Sequence, residues 1–264
     1  MAQMPPFTNV MGISLLHKCN FNCEHCGYIY IGDNEDHIIK SGYKLTWEQV
    51  DNAIKESTAI PGTRWNLNYT GGEPTLWKDN GKDLTDILVK SAVSGALPSY
   101  NTNGSYFYNL ENSRTFFHRY LENTDVTLRT FISMDKFHKN YDEKKGRAKS
   151  LDNIIKVLSE LPEDRKKLLE THVVIIVTKD PNSSLPAEMK EYYGQYGITF
   201  GDFPMMPIGK AKNIADQLPE NQPDFSKMHE RRGRGPITVV LVGDDYYDGG
   251  VKTGKLGHLS ELYS

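Results

Sequence analysis

The sequence predicts an α/β fold: a partial, TIM-like (β/α)6 barrel with a small cysteine-free C-terminal extension. Three observations carry that expectation. Short β-branched runs alternate with helix-length polar segments, the pattern of parallel βα units. Six such runs precede Met206, too few for a complete eight-fold barrel. The composition, 38% hydrophobic and 25% charged over 264 residues, suits a chain able to bury a core.

The elements follow in order. A first strand is expected over 11–17 (MGISLLH) and a second over 64–69 (RWNLNY). A short third lies at 98–101, a fourth at 126–133 (VTLRTFIS), a fifth at 172–178 (HVVIIVT) and a sixth at 198–205. Between them, Thr46-Trp47-Glu48-Gln49 opens a helix with a threonine cap and an acidic first turn. Further helices are expected near 82–94, 109–121, 149–161 and 185–194. Prolines then punctuate a loop-rich stretch before a strand at 237–242 (ITVVLV) and a Gly-rich segment over 243–257. The domain reading is a core over 8–212 and an extension over 213–264. In a barrel of βα units, chemistry gathers in the loops at the C-terminal strand ends.

A net charge of -3 excludes a global basic field, so nucleic acid binding is not expected. The one basic run, 229–234 (HERRGR), reads as a solvated loop. No apolar stretch approaches the ~18 residues that span a bilayer. The opening residues lack the charged and apolar regions of a signal peptide, and the expectation is a cytoplasmic protein without membrane contact.

Cysteine is the informative residue. The chain has three, all between positions 19 and 26, which rules out a disulfide scaffold. Cys19-x3-Cys23-x2-Cys26 follows the first expected strand. Three thiolates on one loop suit a single metal centre. A four-iron cluster normally takes four cysteines; three leave one iron open, as catalytic metal sites do. Structural zinc completed by His17 or His25 is the alternative, and inert thiols the plainest one. Asn20, Asn22 and Glu24 make the segment a poor core. A second candidate, Gly71-Gly72-Glu73-Pro74, follows the second strand. Its glycines permit close backbone approach to a ligand, and its acceptors suit an ammonium group, which only donates.

Together these residues resemble the radical S-adenosylmethionine (SAM) superfamily, over about 8–212. The cysteine spacing matches that family's cluster motif, with His25 at the ring-bearing position, where aromatic residues are commoner. The resemblance implies one [4Fe–4S] cluster on Cys19, Cys23 and Cys26, which cleaves SAM reductively to a 5′-deoxyadenosyl radical. It places His25 near the adenine and Gly71, Gly72 and Glu73 at the SAM amino group. Asn101-Thr102-Asn103-Gly104 resembles the Thr-Asn-Gly after the third strand, which adds Thr102. Ser133-Met134-Asp135 resembles the Ser-x-Asp of the molybdenum-cofactor cyclase and peptide-modifying branches, where the serine reaches the SAM carboxylate or ribose. Arg147 matches an arginine there, although a surface role fits it equally. Pro207-Ile208-Gly209-Lys210-Ala211 resembles a segment lying against the adenine, and Met206 just before it joins the cofactor-binding set.

That branch often carries a SPASM or twitch extension with auxiliary clusters, and here the extension has no cysteine. One cluster per chain is expected, and redox-neutral chemistry gains over simple oxidation. His138 and Tyr141, within 135–141, read first as a packed helix start and second as proton or hydrogen donors. Tyr28 and Tyr30 either wall the pocket or pack. The implied partners are a reductase or flavodoxin/ferredoxin-type electron donor and a substrate. The substrate expected is a peptide or protein side chain, with a nucleotide or other small molecule, as in viperin-like enzymes, the runner-up. The rival of another class is a non-catalytic zinc- or cluster-binding module.

Overall fold

The computed structural model describes residues 9–26, 42–138, 140, 142, 146–180, 183–205, 210, 214, 216–217, 238–242, 244–248 and 251–259. Met206, Tyr28, Tyr30, Tyr141, the basic run at 229–234 and all of the 207–211 segment except Lys210 lie outside them. The chain divides into two compact units: 1–19, 28–100 and 223–264 form the first, and 20–27 with 101–222 the second.

In the first unit, β1 (Asn9–Ser14) pairs in parallel with β2 (Trp65–Thr70), Ser14 opposite Thr70. Between them runs α1 (Trp47–Ala59), started by the capping box expected at Thr46: Gln49 N donates to Thr46 Oγ1 (3.2 Å) and Thr46 N to Gln49 Oε1 (2.9 Å). After β2 come a short 3-10 turn, Pro74–Leu76, and a two-residue hairpin of β3 (Lys78–Asp79) and β4 (Lys82–Asp83). Asp83 then caps α2 (Leu84–Val93), two residues inside the expected start because the hairpin uses them. Next, β5 (Leu97–Thr102) pairs in parallel with β2. Along β2, Trp65, Leu67 and Tyr69 are buried while Asn66, Asn68 and Thr70 are half-buried. On that second face Asn68 Nδ2 donates to Ser99 Oγ (2.9 Å), whose hydroxyl donates to Asn66 Oδ1 (2.7 Å).

The C-terminal residues of this unit hold more strand than their sequence suggests. β9 (Thr238–Val242) pairs in parallel with β1 on the edge away from β2. The Gly-rich stretch is not merely a turn. It forms the antiparallel strands β10 (Asp245–Asp248) and β11 (Val251–Lys255), and β10 continues the sheet from β9. Tyr246, fully buried, donates its hydroxyl to Glu56 on α1 (2.9 Å).

The second unit repeats the βα pattern. A 3-10 turn, Ser105–Tyr108, leads into α3 (Leu110–Asn123), then β6 (Leu128–Ser133), α4 (Lys149–Glu160), the single-turn α5 (Glu163–Lys166) and β7 (Leu169–Val177). α6 (Ala187–Gly194) and β8 (Thr199–Pro204) complete it. β7 pairs in parallel with both β6 and β8. Phe107, Phe116 and Phe117 pack ring to ring at centroid distances of 5.3–5.5 Å beside Leu128, Ile132, Leu151 and Ile154, the offset and edge-on arrangement aromatic quadrupoles favour. Among the described residues no helix is long and apolar enough to cross a membrane.

Trp77, just past the 3-10 turn that follows β2, is fully buried, and its indole N–H donates to the Leu45 carbonyl (2.8 Å). Leu45 N in turn donates to Leu15 O (2.8 Å), and Leu15 N to Thr70 O (2.9 Å). Trp77→Phe orphans a buried carbonyl, which costs about 1–3 kcal/mol. The expected result is a lower urea midpoint at an unchanged slope.

Candidate functional site

The two signature loops leave neighbouring parallel strands of the first unit at the same end. The ladder between β1 and β2 does not stop with the strands. Gly72 N donates to Leu16 O (2.7 Å) and Glu73 N to Lys18 O (2.9 Å), tying the loop after β2 to the three residues before Cys19. A Cβ on Gly72 would lie 2.1 Å from Lys18 O, 2.5 Å from Lys18 C and 2.6 Å from His17 O. Only glycine permits that approach. Gly71 has φ 132°, a conformation side chains rarely adopt. The close approach expected of these glycines toward a ligand is therefore made toward the backbone of the cysteine loop. Glu73 is 1% exposed; its Oε1 accepts from Thr75 Oγ1 (2.6 Å) and Thr75 N (3.2 Å), capping the 3-10 turn. Lys18 and Leu16, which sequence reasoning passed over, enter through carbonyls that no side-chain pattern marks.

The rest of the cysteine loop, from Asn20, belongs to the second unit. Cys26 N donates to Cys23 O (3.3 Å), a single turn holding two of the cysteines. None of the three forms a disulfide; Cys19 is exposed and the others half-buried. Asn20 is gripped by the loop after β5: Asn103 Nδ2 donates to Asn20 Oδ1 (2.9 Å) and Asn20 Nδ2 to Ser105 Oγ (2.8 Å). Thr102 is buried, and its hydroxyl accepts from Gly104 N (3.1 Å), fixing that same loop. Asn140 joins the next loop to it, donating to Asn103 O (3.0 Å) and to Ser133 O (2.6 Å) at the end of β6. Lys210 N donates to Cys26 O (3.0 Å), and its ammonium to Asn22 Oδ1.

Asp135, fully buried, organises the turn beyond β6. Its Oδ1 accepts from Phe137 N (2.9 Å), His138 N (3.1 Å) and His138 Nδ1 (2.9 Å), and Oδ2 from Ile176 N (3.4 Å). The His25 ring packs 4.6 Å from Phe137 and 5.0 Å from His138, with Nε2 3.9 Å from Asp135 Oδ2 and a buried Nδ1 that has no protein partner. Such an orphaned nitrogen, normally satisfied when buried, suits a ligand group supplied from outside the chain. Arg147 is placed elsewhere. Its guanidinium lies 3.4 Å from the centre of the Tyr192 ring on α6 and 3.6 Å from Asp152 on α4.

Burial holds His25 at about 4, against the pull of the Asp135 charge and with His138 adding to the depression. Burial would lower His138 too, but its hydrogen bond to Asp135, then one with Cys23, raise it to about 9. Asp135 resists its own burial through the His138 hydrogen bond and stays below the usual carboxylate range.

A model of the radical SAM superfamily matches residues 13–181, more than half of the chain. The chain belongs to that superfamily. A solved structure of native anSMEcpe with bound AdoMet is similar at a TM-score of 0.56 and 15% identity, covering 97% of this chain and 80% of that one. The same protein with AdoMet and the Cp18Cys peptide gives 0.54 at 15% identity, with 97% and 80% covered. At that identity the likeness is one of fold, and it bears out the α/β partial-barrel class. No curated protein sequence matches. The donor set fits the iron–sulfur cluster that the superfamily implies: three thiols without disulfides on one loop, two of them on a single turn.

Two expectations follow. Gly72→Ala forces the Lys18 carbonyl to move, and overpacking of this kind costs about 1–3 kcal/mol; thermal denaturation of the metal-free chain will read it. The second concerns pH. Unfolded His25 binds a proton near 6.5 and the folded one only near 4, so stability is lost as pH falls through that window. His138, raised to about 9, contributes fully below 6.5, and its contribution is lost as pH rises toward 9. These two groups give the metal-free chain an optimum near 6.5, each limb worth roughly 3 kcal/mol. His25→Phe will flatten the acid limb of urea midpoints taken from pH 4 to 9.

Proposed function

We propose that this chain is a radical SAM enzyme in which Cys19, Cys23 and Cys26 hold one [4Fe–4S] cluster and AdoMet binds beside it. The observation that carries the reading is the pair of backbone hydrogen bonds that set Gly72 and Glu73 on Leu16 and Lys18, with a glycine where no Cβ fits. That contact joins the family's two signature loops, and it has no purpose in a plain zinc module. When bound, the cluster supplies the electron that splits a carbon–sulfur bond of AdoMet, giving a 5′-deoxyadenosyl radical that removes hydrogen from the substrate.

The chain's own residues bind and orient. The backbone at Gly71 and Gly72 offers acceptors to the AdoMet ammonium, which only donates. Glu73, its carboxylate engaged by Thr75, keeps the turn in shape. Thr102 and Asn103 fix the loop after β5, and Ser133 stands at the end of β6 for a carboxylate or ribose hydroxyl. The His25 ring, neutral and with an orphaned Nδ1, meets the adenine with an acceptor or a donor according to its tautomer. Arg147, committed to Tyr192 and Asp152, braces α4 against α6 in this reading.

The substrate we propose is a peptide or protein side chain. Support comes from the Ser133-Met134-Asp135 resemblance, and from the similar fold of anSMEcpe, solved with AdoMet and a peptide. Beyond Cys26 these 264 residues contain no cysteine for a second cluster, which favours redox-neutral chemistry. A flavodoxin- or ferredoxin-type donor would supply the electron.

The test is anaerobic reconstitution with iron and sulfide. About four irons per chain and 5′-deoxyadenosine released on adding dithionite support the reading; one zinc per chain and no AdoMet cleavage reject it. Candidate peptides and nucleoside triphosphates, each assayed for accelerated 5′-deoxyadenosine release, separate the substrate classes. Cys23→Ala leaves two thiolates, too few to hold the cluster, so iron content and 5′-deoxyadenosine should both fall to background.

A further inference from the structure

His25, Asp135 and His138 present ligand atoms within 4.8 Å of one another, a spacing a metal ion could use. The hydrogen bonds argue for a different task. Asp135 Oδ1 faces three N–H groups at 2.9–3.1 Å, one of them His138 Nδ1, and Oδ2 takes the Ile176 amide. A carboxylate so committed has little left for a cation, and a histidine whose Nδ1 donates cannot bind a metal there. What the arrangement does is hold one imidazole still. His138 is clamped by Asp135 through its ring and its own backbone N–H, and its edge is packed by His25 at 5.0 Å and Phe21 at 6.5 Å. Its remaining interaction is a hydrogen bond with the side chain of Cys23. With Nδ1 given to Asp135, the nitrogen turned to the sulfur is Nε2.

We infer that His138, oriented by Asp135, donates its Nε2–H to the sulfur of Cys23 and thereby sets the reduction potential of the cluster held there. The inference rests on the cluster assignment proposed above. Hydrogen bonds to cluster sulfurs stabilise the more negative, reduced form, and the protein tunes potential by this means. The step it governs is a one-electron reduction by an external donor of the flavodoxin or dithionite class; no bond is made or broken in it. His138 is a positioning and tuning residue in this scheme, with no contact to the reacting carbon.

The measurement is a redox titration of the reconstituted full chain, followed by electron paramagnetic resonance. His138→Phe keeps the ring volume and removes the donor. The expected outcome is full iron content with a more negative potential, by about tenfold in the reduced-to-oxidised ratio at fixed solution potential, or 59 mV for a one-electron couple. An unchanged potential in a fully loaded His138→Phe chain overturns the inference while leaving the cluster assignment standing. Should that variant load incompletely, His138→Gln and His138→Asn decide. Gln carries its amide to the place of Nε2 and Asn only to that of Nδ1, so Gln should titrate near the parent and Asn below it; equal potentials overturn the inference. The competing metal-site reading is tested on the Cys19→Ser, Cys23→Ser, Cys26→Ser chain by calorimetric titration with zinc. No binding supports the hydrogen-bond role. One zinc per chain that is lost on adding His138→Phe overturns it. A parent that takes up neither iron nor sulfide defeats the cluster assignment itself, a failure distinct from all of these.

Discussion

A Cβ on residue 72 would stand 2.1 Å from the Lys18 carbonyl oxygen, and its absence lets the loop after β2 lie directly on the backbone that leads into Cys19. Two main-chain hydrogen bonds follow from that contact, and both prolong the β1–β2 ladder past the ends of the strands. The start of the cysteine loop thus inherits the rigidity of the sheet. Behind it, the path from Trp77 through Leu45 and Leu15 to Thr70 ties the same backbone into the core of the first unit.

Two buried acids, one in each unit, solve the same problem. Glu73 and Asp135 are both almost wholly removed from water, where an unpaired carboxylate would be costly. Each is made tolerable by closing a turn upon itself, Glu73 through the amide and hydroxyl of Thr75, Asp135 through the amides of Phe137 and His138. Side chains that look in sequence like ligands for a cofactor are spent on shaping the loops that would receive it. Asp135 also divides its two histidine neighbours. The one it hydrogen bonds becomes a cation, and the one it only faces at 3.9 Å stays neutral.

Local pattern made most strands and helices legible, and the misreadings have physical causes. The run HVVIIVT marked β7, yet the strand begins at Leu169, because Glu170 and His172 lie on the face that the alternation leaves partly open. The hairpin of β10 and β11 escaped notice because its Asp and Gly residues score as turn, and its pairing is with a strand far away in sequence. At the site, the cysteine spacing and Gly71-Gly72 stood out. The role of Lys18 did not, since it acts through a carbonyl that every residue possesses. The Asp135–His138 pair was visible as a motif, but its bond to Cys23 depends on the turn geometry. Arg147 shows the reverse: a matching residue whose guanidinium the fold gives to Tyr192 and Asp152.

β1 is flanked by β2 on one edge and by β9 on the other. Its second row of backbone partners is therefore not synthesised until some 220 residues after β1 itself, with Val10 opposite Thr238 and Ile13 opposite Leu241. Closing so long a loop is slow in chain-entropy terms. During translation the strand that carries the cysteine loop waits with one side bare, an edge open to wrong pairing. The thiols stay on an unfinished scaffold for most of the chain's synthesis, so metal loading is coupled in time to the arrival of the last strands.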